Sequence, residues 1–246
     1  MPFIVLVVMV LFATIHKITR GATTHSVMHE KLTNYRCRDM EENGSRWQRV
    51  SRESLSIEGS RIASIAIRGE CRFFGPIELK VDDHQFQIFD WENTIRVGKG
   101  VYIPVAQTVI SLKTADLEIP SFYLYPNRGS RFVTREDNAL LRYEEVVKTG
   151  THIDGTYGLE SIQPYHARQL FSTPTAVLEL FEFVQSRQWT VQWASEQLLV
   201  YRQEEIVRPE ALKYFAREVL QLKELLKQAD AEGEAAMEEM LQRVKK

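Results

Sequence analysis

The run from Pro2 to Ile15, PFIVLVVMVLFATI, contains no charge and no strongly polar side chain, and Ile18 extends it. Apolar residues fall on every face of a helix wound through this stretch, so no orientation on a protein surface hides them from water. It is short against the roughly 20 residues that usually cross a hydrocarbon core, but His16, Lys17 and Arg20 have stems long enough to reach headgroups. A cleaved signal predicts a basic start and a small-x-small cleavage site. Here only Met1 and Pro2 precede the run, and Ile18-Thr19-Arg20-Gly21-Ala22 is a poor site. Residues 1–20 are therefore expected to form a transmembrane anchor, with a cleaved signal as the alternative. Lys17, Arg20 and Lys31 all follow the run, which by the positive-inside rule keeps the rest of the chain in the cytoplasm.

Residues 21–60 are polar and rich in turn formers, and predict a juxtamembrane helix near His25 to Leu32 followed by a connector. A folded domain over residues 61–228 follows. Its first part reads as strands at Ile62–Ile67, Cys71–Val81, Phe86–Trp91, Val101–Lys113 and Ser121–Tyr125, separated by Gly69, Asp82-Asp83, Gly98-Lys99-Gly100 and Pro120. In Gln85–Asp90, Phe86 and Ile88 share one face and Gln85, Gln87 and Phe89 the other, the alternation of a strand in an antiparallel meander.

Helices then alternate with strands. The pattern predicts a helix at Glu136–Val147, a strand around Thr151–Tyr157 and a turn or short helix at Pro164–Phe171. Thr173-Pro174-Thr175 has the cap and first-turn proline of a helix start, and Val177, Leu180, Phe181 and Val184 follow at i, i+3, i+4 and i+7. Trp189–Trp193 and Gln197–Tyr201 alternate around a turn at Ala194-Ser195-Glu196 and predict a hairpin. From Arg208 to Gln228 the sequence is helical, with Leu212, Phe215, Val219, Leu222, Leu226 and Ala229 spaced as a heptad seam whose first half is expected to pack on the domain. Gly233 is expected to interrupt it. Residues 229–246 then read as an acidic helical tail whose Met237, Met240, Leu241 and Val244 make a second stripe, the candidate partner-binding surface. The fold class is α+β: an N-terminal transmembrane helix, then an antiparallel sheet with packed helices and a long C-terminal helix.

Composition narrows the chemistry. A net charge of -2 gives no general attraction to phosphate backbones, and the basic cluster Arg36, Arg38, Arg46, Arg49 and Arg52 is interrupted by Asp39, Glu41 and Glu42. Nucleic-acid binding is not expected. Cys37 and Cys71 form no CxxC pair and read as free thiols, and Asn43-Gly44-Ser45 reads as a turn. His25 and His29 with Glu30 make half of a zinc site with no third ligand. His152 and Asp154 with Ser161 or His166 suggest a hydrolase triad but lack a nucleophile elbow. Asp82 and Asp83 with Asp90 and Glu92 suggest a cation site without its loop spacing, and Gly98-x-Gly100 lacks the third glycine of a dinucleotide fold. No cofactor, metal or catalytic residue is therefore assigned.

The residues Arg68-Gly69, Gly75, Phe86, Phe89-Asp90-Trp91, Gln107–Ile110, Pro120, Tyr125-Pro126 and Leu170-Phe171 follow an order over residues 61–205 that resembles a group of uncharacterised bacterial proteins. That resemblance implies one N-terminal membrane helix and a soluble domain of unassigned function, and brings no catalytic residues. The expectation is a membrane-anchored interaction or scaffolding protein with a protein partner. The alternatives are an enzyme whose site is assembled from scattered residues and a small-molecule or lipid-binding domain.

Overall fold

The computed structural model describes residues 30–42, 46–55, 57, 62, 71–98, 101–127, 145–202 and 205–244. The expected anchor at 1–20, the paired histidines His25 and His29, the turn at Asn43-Gly44-Ser45 and most of the helix expected at Glu136–Val147 lie outside them. Among the described residues no helix is long and apolar enough to cross a membrane.

The protein is α+β, and its described residues build one antiparallel sheet of nine strands. In chain order the elements are helix α1 (residues 30–42), β1 (Arg46–Arg49), β2 (Cys71–Val81), β3 (His84–Gly98), β4 (Val101–Lys113), β5 (Phe122–Pro126) and β6 (Glu145–Val146). There follow the helical turn α2 (Ile153–Thr156), β7 (Tyr157–Ser161), α3 (Pro164–Leu170), α4 (Phe181–Arg187), β8 (Trp189–Ala194), β9 (Gln197–Arg202) and the long helix α5 (Pro209–Val244). The spatial order is β1-β2-β3-β4-β9-β8-β5-β7-β6, so the late hairpin β8–β9 lies in the middle, between two strand groups formed earlier in the chain. Two hairpins turn on two residues of positive φ: Asp82 (47°) and Asp83 (64°) between β2 and β3, Ser195 (49°) and Glu196 (60°) between β8 and β9. That backbone matches the right-handed twist of the flanking strands, and acidic and small polar residues tolerate it well.

One face of the sheet carries the main core. Ile77, Leu79, Phe86, Ile88, Ile110, Leu112, Phe122, Leu124, Val191 and Val200 meet Leu170, Phe181 and Val184 from the middle helices and Leu212, Phe215, Val219, Leu222, Leu226 and Ala229 from α5. The whole seam from Leu212 to Ala229 therefore docks, not only the first half expected to pack. On the opposite face Phe89, Trp91, Val109, Leu199 and Tyr201 form a smaller cluster beneath Leu55, Ile57, Ile62 and Phe73. The split of β3 between these two clusters is the alternation read in Gln85–Asp90.

Three local expectations change. The strand expected around Thr151–Tyr157 begins only at Tyr157, because Asp154 accepts hydrogen bonds from the backbone N–H groups of Thr149 (3.0 Å) and Gly150 (3.0 Å) and ties the preceding residues into a turn. The helix start at Thr173 is present, with Ala176 N donating to Thr173 Oγ1 (3.2 Å), but its first turn is a wide π turn, Ala176–Leu180, before α4 begins. The helix expected near His25 to Leu32 is described from residue 30 onward, and as α1 it extends to residue 42, through what reads as connector, and enters the core: Cys37 and Met40 are buried there. Arg36, grouped in the sequence with the interrupted basic cluster, is fully buried and pairs with Asp90 at 2.9 Å. Gly75, with φ of 55°, makes this docking possible: it sits in the bulge where the β2–β3 register shifts, and a Cβ there would overlap the Thr33 hydroxyl of α1.

Candidate functional site

Helix α5 runs unbroken from Pro209 to Val244, so Gly233 does not interrupt it. Gly233 is buried on the face that meets Thr173 and Gln169, and Gln169 Nε2 donates to its carbonyl at 2.8 Å. A Cβ here would meet Thr173 and Gln169 only at ordinary contact distance, and glycine costs about 1 kcal/mol of helix propensity, too little to break a helix held by its core contacts. The consequence concerns the methionine stripe. At about 100° per residue, positions 237, 240, 241 and 244 fall within about 60° of the direction of Leu226. The stripe is not separate: it continues the core-facing seam beyond the end of the sheet. Met237 is half-buried, whereas Met240 and Leu241 are 64% and 54% exposed.

At the base of this overhang lies a cavity of about 320 Å³ between α5, α3 and the loop 114–121, lined by Ile119, Pro120, Leu170 and Met237 with Glu118, Asp230 and Glu234 at its rim. The loop is fixed from several sides. Trp193 Nε1 donates to Ile119 O (3.1 Å), Thr114 N to Glu196 O (2.9 Å) and Ser161 Oγ to Ser121 O (2.6 Å). Lys223 Nζ meets Asp116 Oδ2 at 2.8 Å and Lys227 bonds the same carboxylate. Burial works to raise the Asp116 carboxyl, but hydrogen bonds from Lys223, Lys227 and Thr114 overcome it and hold the group well below the usual carboxylate range. On the other side of α5, Glu232 accepts from Thr175 N (3.0 Å) and Thr175 Oγ1 (2.5 Å), bonds that lower its pKa and fasten the helix to the start of α4.

The cavity rim is different. Burial, then repulsion from Glu234 and Glu118, raises the Asp230 pKa, and no lysine or arginine among the described residues pairs with any of the three. The overhang thus presents an apolar strip above a rim of uncompensated negative charge. Among the described residues no group of three or more metal-ligating side chains occurs.

The other groups of interest in the sequence are not brought together. Asp154 is occupied by Thr149 and Gly150, His152 packs edge-on against Phe181 (5.0 Å), Ser161 bonds Ser121 and accepts from Gln163 N (2.9 Å), and His166 lines the cavity. Asp82 pairs with Arg217 (2.9 Å) and Asp83 with Lys80 (2.8 Å), at the opposite end of β3's first strand segment from the buried Asp90 and Glu92. Glu118 and Asp230 had no motif around them, because the two residues are more than a hundred positions apart in the chain.

The fold and site define an α+β domain with a helix that overruns its own core. No family model matches the chain, and no curated protein matches it significantly. Among solved structures it is similar to the crystal structure of the mycobacterial trehalose monomycolate transport factor A, TtfA, with 12% sequence identity, a TM-score of 0.51, and coverage of 79% of this chain and 94% of that one. At that identity the likeness is one of fold.

Proposed function

We propose that this protein is a membrane-tethered adaptor, held at the bilayer by residues 1–20 with its domain in the cytoplasm, and that it acts by binding another protein through the end of α5. The observation that carries the reading is the continuation of the core seam onto Met240 and Leu241, a face with the pattern of a packing surface on which no other described residue of the domain packs closely. The domain shares its fold with a protein described as a transport factor, and a part in a transport process belongs to this reading. The anchor raises the effective concentration of the domain near membrane partners, so a small surface suffices.

The test compares the intact protein with the triple variant Met237→Ser, Met240→Ser, Leu241→Ser, each carrying a photocrosslinkable residue at Glu238 and handled in its native membrane. The parent is expected to give discrete adducts and the variant to lose them at an unchanged melting temperature. A large loss of stability would assign the stripe to the core, and identical adducts from both would remove the stripe from the binding surface. Deletion of residues 1–20 is expected to move the protein to the soluble fraction; retention in carbonate-washed membranes would overturn the anchor.

A further inference from the structure

Away from the α5 end, a second surface runs between α4 and the middle of α5. Arg187 Nε donates to Glu218 Oε1 at 2.7 Å, and Glu232 accepts from Thr175 N at 3.0 Å, so α5 lies antiparallel to the stretch 175–187. These two clasps stand about 21 Å apart along α5, at a rise of about 1.5 Å per residue. Between them the helices leave an open groove of about 690 Å³. Phe183 from α4 and Leu220 and Leu225 from α5 line it, each only partly buried where it packs on the core.

Both lips of the groove are acidic. Glu179 and Glu182 stand exposed on one side and Glu224 on the other. Neither Glu179 nor Glu182 meets a cation among the described residues, and Glu224 has only Lys227 at 4.0 Å, whose ammonium bonds Asp116. Arg187, which also lines the groove, is engaged: its guanidinium lies 3.7 Å from the centre of the Phe183 ring and pairs with Glu218.

We propose that this groove docks a basic amphipathic helix of about three to four turns, supplied by a partner protein, at a site separate from the α5 end. The apolar row of such a helix lies along Phe183, Leu220 and Leu225, and lysines or arginines flanking that row reach Glu179 and Glu182 on one lip and Glu224 on the other. The distance between the clasps sets the length. Charge selects the occupant: an acidic helix or an anionic headgroup sets like charge against both lips, and a helix without cations covers the carboxylates and gives them no partner.

The experiment uses the full chain in phosphatidylcholine nanodiscs, with empty discs as the reference, and a fluorescent peptide that repeats Leu-Lys-Lys-Leu-Leu-Lys-Leu twice. Its acidic twin carries glutamate for every lysine. Anisotropy is expected to show the basic peptide binding the parent with a Kd below about 100 µM, and the acidic twin binding at least about tenfold more weakly. The variant Glu179→Lys, Glu182→Lys, Glu224→Lys is expected to exchange the preference, at a melting temperature near the parent's because all three positions are exposed. If the lysines disturb folding, Glu179→Gln, Glu182→Gln, Glu224→Gln is expected to lose the basic peptide by at least about tenfold without gaining the acidic one. No binding by the parent at about 100 µM, equal binding of the two peptides, or an unchanged preference in the folded variants overturns the inference. Adducts between two copies of the chain from a photocrosslinker at Gln221 overturn it as well, and assign the groove to self-association. The variant Met237→Ser, Met240→Ser, Leu241→Ser is expected to bind the basic peptide as the parent does; if it does not, the peptide sits at the α5 end, and this inference falls while the adaptor reading stands.

Discussion

Arg36 and Asp90 lie 54 residues apart in the chain and meet at 2.9 Å with neither side chain exposed. The guanidinium also donates to Thr108 Oγ1 (2.9 Å) and Val207 O (2.8 Å), while Thr108 Oγ1 donates to Asp90 (2.7 Å) and accepts from Val207 N (2.9 Å). One buried cation thus joins α1, β3, β4 and the segment leading into α5. Removing one partner of such a pair strands the other charge, at a cost of about 3–5 kcal/mol. Arg36→Ala is expected to destabilise by that amount in denaturant unfolding, and Arg36→Met combined with Asp90→Leu to recover most of it. A shortened chain beginning at Arg61 lacks α1 and β1 and is expected to melt at a lower temperature than the full domain.

Gly75 offers an independent test of the same docking. Gly75→Ala combines a left-handed backbone with overlap on Thr33 and is expected to cost about 1–3 kcal/mol. Adding Thr33→Ala removes the hydroxyl and the methyl that crowd the new Cβ, so the double variant should be more stable than the sum of the two single effects predicts. Strict additivity in thermal melts would mean that α1 does not pack on the bulge.

Two carboxylates on the same side of α5 should respond to pH with opposite sign. Asp116 has a folded pKa below its ordinary 3.8, so its contribution is fully present above that value and is lost as pH falls through the lower folded one. Asp116→Asn is expected to lower the melting temperature equally at pH 7 and pH 5, with the difference shrinking only in strong acid; because the carboxylate is half exposed, the effect is about 1 kcal/mol. Asp230 has a folded pKa above 3.8, so ionisation there opposes folding, and its stability is present below 3.8 and lost as pH rises through the folded value. Asp230→Asn should therefore raise the melting temperature at pH 7 and change nothing well below 3.8. Equal signs for the two variants at pH 7 would contradict these assignments.

Along α5 the cost of truncating an apolar side chain should drop abruptly. Leu226 is 1% exposed and Met240 64%, although they occupy one face of one helix. Leu226→Ala is expected to cost about 2–5 kcal/mol and Met240→Ala less than about 0.5 kcal/mol in the monomeric protein. A comparable loss for both would mean that the overhang is packed within the same chain.

What the sequence by itself determined is local. The two hairpin turns at Asp82-Asp83 and Ser195-Glu196, the alternation through Phe86, Ile88 and Phe89, and the heptad spacing from Leu212 to Ala229 each follow from residues within a few positions of one another. Backbone sterics and the periods of 2 and 3.6 act over that range. The stripe at Met237, Met240 and Leu241 was legible for the same reason. Its relation to the seam before Gly233 was not, because a glycine in sequence marks a helix end or a tolerated interior position equally well, and only the unbroken course of α5, with Thr173 and Gln169 packed against it, decides. Tertiary structure alone decided that Arg36 is inside, that the last hairpin fills the middle of the sheet, and that Glu118 meets Asp230 and Glu234. Each of these depends on which distant segments the chain brings together, and no short-range pattern of side chains encodes that pairing.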